Sequence, residues 1–213
     1  MPLSKKTRTI LIALIPIAAV ASAIAVMSIP PDARLGSLVR LAMFHGASTW
    51  VNMGTFMLAG LAGIAFVGGM KWALPWGQSL RWVSLGLWVV NTVLGILSMQ
   101  LNWGGILWNE PRLLMTFGIL AGALIVVAMQ FMFESPKIPA LLDLVLAAAL
   151  WYLVFVLPDL FHPDNPVFAS ENLAYRNGFF GMVGSIGVLV GSVVTLVARR
   201  TRRDPEDESA AAV

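Results

Sequence analysis

The sequence predicts an all-α membrane protein in which one polytopic helical bundle crosses the bilayer six times. Hydrophobic residues make up 58% of the 213 residues and charged residues only 12%, about half the share that is usual in a soluble domain. The uncharged runs are long enough to cross a bilayer, which takes roughly 20 apolar residues per helix. Connections between the runs are short, so we expect the lipid bilayer to surround the whole domain.

The uncharged runs define six predicted transmembrane helices. In chain order they are Thr9–Ile29, Ala42–Gly69, Trp82–Leu101, Leu113–Phe133, Ile138–Leu157 and Asn177–Ala198. A charged residue, a glycine or a proline lies within a few residues of each boundary, and Pro158 stops the fifth helix from continuing. Residues 1–200 therefore form one predicted six-helix domain, followed by a charged tail, residues 201–213, that we expect to be disordered.

The first apolar run has two interpretations. It follows basic residues and contains Ala21-Ser22-Ala23, which resembles the cleavage site of a signal peptide. The uncharged run continues to Ile29, however, and is longer than a usual signal core. We therefore expect a retained helix. Cleavage would leave the sides of all later connections unchanged.

Lysine and arginine predict the orientation of the bundle, because cytoplasmic connections carry an excess of these residues. Ten basic residues lie on one side, namely Lys5, Lys6, Arg8, Lys71, Arg81, Lys137, Arg199, Arg200, Arg202 and Arg203. Four lie on the other, Arg34, Arg40, Arg112 and Arg176. Both termini are therefore predicted to be cytoplasmic, in an inner or plasma membrane. These residues flank helices instead of forming a stripe, so no nucleic-acid partner is expected.

Small residues four apart suggest close helix packing, as small-xxx-small pairs do in membranes. Such pairs occur at Gly118/Gly122, Gly187/Gly191, Ala59/Gly63 and Gly181/Ser185. They could join helices within the chain or to a partner, and we expect contacts within the chain.

The only two histidines, His45 and His162, lie on the predicted outer side of the bundle. His45 opens the second helix, and His162 lies between the fifth and sixth helices, close to Asp159 and Asp164. Either carboxylate could orient an imidazole by accepting its second N–H. Taken singly, each histidine is equally compatible with an ordinary interfacial or solvated residue.

Two imidazoles on separate segments can approach a flat iron macrocycle from opposite faces, and haem iron accepts histidine as an axial ligand. The chain has no cysteine, which excludes thiolate metal sites. A zinc or copper site would need three or four ligands, and the predicted outer side offers two histidines plus carboxylates. The pair therefore favours haem, with His45 and His162 as axial ligands of the iron.

The connection between the third and fourth helices adds aromatic and charged residues to the same side. Trp103 and Trp108 provide flat faces with an N–H group. Arg112 could pair with a haem propionate, and Glu110 could orient that arginine. Tryptophan is also enriched at membrane interfaces in general, so the two tryptophans have an ordinary alternative.

These residues resemble a known family, the haem-handling membrane proteins of cytochrome c assembly, especially the six-helix C subunit of the cytochrome c maturation system. Its tryptophan-rich segment, Trp-Gly-x-x-Trp-x-Trp-Asp-Ala/Pro-Arg-Leu, is matched by Trp103 and Gly104 at its start and by Glu110-Pro111-Arg112-Leu113 at its end. Its His-x-Pro-x-x-Trp segment is matched by His45 and Trp50, and its second histidine by His162.

The chain departs from the family pattern at several positions. Glu110 replaces an aspartate, Ala47 a proline, and Ile106 and Leu107 lie near the places of the inner tryptophans. Trp108 is one position away from its expected place. These differences indicate a divergent member with a degenerate tryptophan segment.

The resemblance implies a function in cytochrome c biogenesis. The protein would hold haem b as cargo at the outer face, between His45 and His162 and against the segment from Trp103 to Arg112, and would present it to an acceptor. The implied partners are an ABC-type ATPase, other membrane subunits of a cytochrome c maturation complex, and a periplasmic haem chaperone or apocytochrome c. The chain has no phosphate-binding Gly-x-x-x-x-Gly-Lys-Ser/Thr loop, so ATP use would belong to a partner.

Two other classes of function remain open. One is an integral membrane subunit or transporter of another complex, with incidental histidines. Asp143 is the only acid placed inside a span, and we expect it to be a carboxylate at the cytoplasmic rim near Lys137. The other is a membrane enzyme, but the sequence shows no nucleophile–base pair or metal cluster, so we expect no catalysis.

Overall fold

The computed structural model describes residues 3–158, 167 and 171–200, and in this part of the chain six long α-helices account for the fold. They are α1 (Lys5–Met27), α2 (Val39–Val67), α3 (Ala73–Trp103), α4 (Pro111–Met132), α5 (Lys137–Val156) and α6 (Leu173–Arg200). All six are long and apolar enough to cross a membrane. The predicted all-α class with six membrane-spanning helices is confirmed.

Two helix starts differ from the prediction in ways that affect the site. Helix α2 begins at Val39, so His45 lies on its second turn. Helix α3 begins at Ala73 instead of Trp82, which places Arg81 inside the helix. Pro75 is compatible with this early start because it falls in the first turn, where a proline costs no hydrogen bond.

Helices α2 and α3 form the centre of the bundle and contribute to two apolar cores. The first core joins them to α1 and α6, and its buried residues include Ile29, Met43, Phe179, Met182 and Val190. The second joins them to α4 and α5, and includes Phe56, Trp88, Ile119, Leu146 and Leu150. Helices α2 and α3 thus lie between two layers, one formed by α1 and α6 and the other by α4 and α5.

Small residues bring some of these helices into close contact. A Cβ added at Gly63 would collide with the backbone carbonyl of Ala140 on α5. One added at Gly122 would lie 2.9 Å from Leu146. Gly118, Gly187 and Gly191, by contrast, have open space where a side chain would be. The predicted contacts within the chain are therefore confirmed for the Ala59/Gly63 pair and wrong for the Gly187/Gly191 pair.

Helix α1 packs mainly along α6. The side chains of Ser22 and Ser185 are hydrogen-bonded at 2.7 Å, and a Cβ added at Gly178 would lie 2.6 Å from Ile29. These contacts confirm the predicted role of the Gly181/Ser185 pair. The first apolar run is therefore a packed helix of the bundle.

The connection from α1 to α2 fixes the chain just before His45. The carboxylate of Asp32 accepts the backbone N–H groups of Arg34 (2.8 Å) and Leu35 (3.0 Å). Hydrogen bonds from Leu35 and then Arg34 hold the pKa of Asp32 below its usual range. The guanidinium of Arg40 donates to the carbonyl of Ile29 at 2.9 Å. This connection is thereby tied to the end of α1.

Candidate functional site

The imidazole of His45 lies against α3 at Gly95. A Cβ added at Gly95 would lie 3.0 Å from Cε1 of His45, 3.4 Å from Nε2 and 3.6 Å from Nδ1. Both nitrogens are nearly as close to the added Cβ as Cε1 is, so the ring packs with its face, near Cε1, against α3. Nδ1 is buried beside this contact between α2 and α3.

This position is deeper than the sequence predicted. Gly95 precedes the end of α3 at Trp103 by about two turns, or roughly 12 Å along the helix axis at 1.5 Å per residue. His45 therefore lies inside α2 and three residues further from its start than predicted, because α2 begins at Val39 and not at Ala42. An ionisable side chain within a membrane-spanning helix is a stronger functional indication than one at the interface.

A hydrogen-bonded polar group adjoins His45 one turn further into the bundle. The amide oxygen of Asn91 accepts from the hydroxyl of Ser48 at 2.5 Å. Its amide nitrogen donates to the hydroxyl of Thr49 at 2.9 Å, which donates to the backbone carbonyl of His45 at 2.9 Å. These bonds connect α2 and α3 directly beside the imidazole.

Polar and small residues continue along the same side of α3. Asn91, Gly95, Ser98 and Asn102 are spaced by four, three and four residues, which places them on one face of the helix; we call this the α3 polar face. Asn91 and Ser98 are buried, and the amide nitrogen of Asn102 donates to the carbonyl of Ser98 at 2.8 Å. None of these four residues is among the predicted site residues, although their spacing on one helix face is visible in the sequence.

A second polar group lies near the middle of α2 and α3. The hydroxyl of Ser84 donates to that of Thr55 at 2.9 Å. The side-chain amide nitrogen of Asn52 donates to the backbone carbonyl of Ser84 at 3.2 Å, and its amide oxygen accepts from the backbone N–H of Trp88 at 2.9 Å. All four residues are buried. The α2–α3 contact is therefore polar over several turns.

The tryptophan segment forms the turn from α3 to α4. Trp103 is the last residue of α3, and Gly104 caps the helix with a positive φ of 72°, a conformation that glycine adopts without strain. The exposed fractions of Trp103 and Trp108 are 40% and 62%. Both predicted ring faces therefore lie on the surface, beyond the α3 polar face.

The acidic end of this segment begins α4. Glu110 is the N-cap residue and is fully buried, and Pro111 occupies the first helical position. A carboxylate at a helix N-terminus is favoured by the helix dipole. Nη2 of Arg112 lies 3.5 Å from the carbonyl of Val154 at the end of α5. Glu110 and Arg112 thus lie where α4 and α5 meet the predicted outer face.

Trp50 lies on a different side of α2 from His45. Five residues along a helix correspond to a rotation of about 140° from the starting direction. The Trp50 ring packs edge-on against Phe179 of α6, with centroids 6.0 Å apart, whereas His45 faces α3. The structure therefore separates two residues that the family resemblance groups together.

The other predicted ligand of the iron is His162. His162, together with Asp159 and Asp164, lies outside the described residues, as does the predicted tail at 201–213. The pairing of His45 with His162 stays a prediction.

A buried ion pair joins α3 to α5, contrary to the predicted position of Asp143 at the rim. Arg81 on α3 and Asp143 on α5 form a two-pronged contact, with Nη2–Oδ2 at 2.7 Å and Nε–Oδ1 at 2.9 Å. Nη1 of Arg81 donates to Gln130 of α4 at 2.6 Å. The side chains of the pair are only 5% and 4% exposed. Asp143 is therefore not a rim carboxylate near Lys137, because the early start of α3 places Arg81 beside it.

A cleft of about 240 Å³ lies next to this pair, at the end of the bundle opposite His45. Its polar lining comes from Gln78, Arg81, Gln130 and Glu134. Arg81 links the cleft to the buried carboxylate.

Comparison with known proteins gives no family for the chain. No protein-family model matches it, and no curated protein matches its sequence significantly. The family resemblance consequently rests on the short motifs alone.

The described residues restrict the chemistry of that site. Among residues 3–158, 167 and 171–200, no three His, Asp or Glu side chains cluster as a metal-ion site would require. His45 is the one histidine among the described residues and could supply one nitrogen ligand beside the α2–α3 contact. A segment that supplies a single ligand suits a metal whose other ligands come from a macrocycle, as those of haem iron do.

Proposed function

We propose that the protein is a haem-binding membrane protein of cytochrome c biogenesis. His45 would be one axial ligand of the haem iron and His162 the other. The observation that carries the proposal is the position of His45, whose imidazole packs against α3 beside a buried polar group inside a membrane-spanning helix. An ionisable side chain inside such a helix tends to be functional.

The surroundings of His45 fit a haem better than a bare ion. Asn91 and its hydroxyl partners keep α2 and α3 at a fixed separation beside the imidazole. Beyond the end of α3, Trp103 and Trp108 expose flat faces against which a macrocycle can stack. The guanidinium of Arg112 lies at the same end of the bundle and suits a carboxylate such as a propionate.

Haem would be cargo rather than a permanent group. A single imidazole from each of two segments allows one ligand to release before the other, so the haem can pass to an acceptor without a covalent bond to this chain. We propose a periplasmic haem chaperone or apocytochrome c as that acceptor, and an ABC-type ATPase and further membrane subunits as partners. The site would then face outward from an inner or plasma membrane.

Haem titration of the detergent-purified protein tests the proposal. We expect a Soret band that saturates near one haem per chain, and a loss of affinity of at least tenfold in His45→Ala and in His162→Ala. Each tenfold step corresponds to about 1.4 kcal/mol of binding free energy. The control is Gln78→Ala, which removes a polar side chain at the opposite end of the bundle and should bind haem as the wild type does. A wild-type protein that stays colourless at saturating haem would contradict the proposal.

One observation favours a second candidate, a membrane subunit or transporter of another complex. Ionisable residues inside membrane helices often mark substrate or proton pathways, and the pair Arg81–Asp143 borders a polar cleft. The haem titration separates the two functions. A colourless protein would favour the second candidate, whereas a haem band that depends on His45 would favour the first.

A further inference from the structure

We infer that Gly95 is a positioning residue for His45, because the absence of a side chain at Gly95 sets how closely the imidazole ring packs against α3. The inference deepens the proposed function and rests on it for its consequence for haem. The steric part concerns this chain alone and is testable without haem.

The contact between the two residues is close. An added Cβ would lie 3.0 Å from Cε1 of His45 and 3.4 Å from Nε2, whereas carbon atoms in optimal contact are about 3.5–4.0 Å apart. The ring would have to move by a few tenths of an ångström. Elsewhere on the same helix, Gly86 has nothing within 4 Å of an added Cβ. Of these two glycines, only Gly95 would bring an added Cβ into close contact with a neighbouring side chain.

The helices themselves cannot easily separate to relieve this contact. Asn91, one turn from Gly95, is hydrogen-bonded to both Ser48 and Thr49 on α2. Separating α2 from α3 would break these bonds in a buried setting, where leaving a polar group unsatisfied costs about 1–3 kcal/mol. The imidazole side chain would therefore move instead of the backbone.

Such a movement would change the direction of the ring nitrogens. An axial ligand must point a nitrogen at the iron, and small displacements of a ligating group alter the strength of the bond and the properties of the metal. We therefore expect Gly95 to control the ligation of haem by His45 without itself contacting the iron.

The test uses the fact that the chain has only two histidines. In protein labelled with ¹³C/¹⁵N-histidine, NMR gives one imidazole signal set for each of them, and His162 serves as an internal reference. Without haem, Gly95→Ala is expected to shift the His45 signals and leave those of His162 in place. Gly86→Ala, the matched control on the same helix, should shift neither. A Gly95→Ala protein whose His45 signals coincide with those of the wild type would overturn the inference.

A second arm adds haem to the same three proteins. We expect Gly95→Ala to weaken haem binding at least threefold and to change the position of the Soret band, with Gly86→Ala unchanged. If the wild type binds no haem but the His45 signals still shift, the positioning is supported and the haem function fails. If haem binds equally well and with the same spectrum in all three, Gly95 does not position a haem ligand.

Discussion

Replacing Asp143 by alanine is expected to lower the free energy of unfolding by about 3–5 kcal/mol, because it leaves a charge buried without its partner. The guanidinium of Arg81 is almost fully buried and donates to both carboxylate oxygens. The pair also joins α3 to α5, so its loss affects two helices.

Equilibrium unfolding in mixed micelles measures this effect. Arg81→Ala should be destabilised to a similar extent, whereas Arg81→Met combined with Asp143→Leu should recover much of the loss, because it removes both charges together. Lys137→Ala, an exposed position at the start of the same helix, is the control and should change the stability by less than about 0.5 kcal/mol. A cost below about 1 kcal/mol for Asp143→Ala would contradict the account of the ion pair.

Gly63→Ala is expected to destabilise the bundle by about 3 kcal/mol, at the upper end of the range for overpacking. The added Cβ would collide with the backbone carbonyl of Ala140 on α5. A backbone atom cannot rotate away as a flexible side chain can, so α2 and α5 would have to separate. Gly60, one turn earlier, approaches Leu144 of α5 closely as well, and both close contacts would then be lost.

The matched control for this change is Gly54→Ala on the same helix. Gly54 has open space around it, and alanine in a helix is favoured over glycine by about 0.5–1 kcal/mol. We therefore expect Gly54→Ala to be neutral or slightly stabilising in the same unfolding assay. Equal effects of the two substitutions would show that helix propensity, not the α2–α5 contact, determines the outcome.

The architecture was predictable from the sequence, because a chain in a bilayer has to satisfy its backbone hydrogen bonds within each apolar run. Six runs therefore gave six helices. The start of α3 was not predictable in this way. The sequence pattern places Arg81 at the end of a connection because the residue is charged, and only its partner on α5, far away in the sequence, makes its burial acceptable.

The site was predictable in its residue types more than in its geometry. The sequence identified His45, but its position along α2 depended on where that helix begins, and its direction depended on how α2 rotates against α3. Trp50 illustrates the same limit, since a shared motif placed it with His45 while the helix turned it toward Phe179. The residues of the α3 polar face are spaced by four, three and four positions in the sequence. This spacing indicates a site only once α2 is known to pack against that face.

Ligation of haem iron by His45 is tested most directly by chemical rescue. In His45→Gly the imidazole is removed from the α2–α3 boundary, and free imidazole can occupy the space that it leaves. We expect this variant to bind haem weakly, with a Soret band different from that of the wild type, and the wild-type spectrum to return when imidazole is added to saturation. A His45→Gly protein whose haem spectrum equals that of the wild type without imidazole would contradict the proposed role of His45.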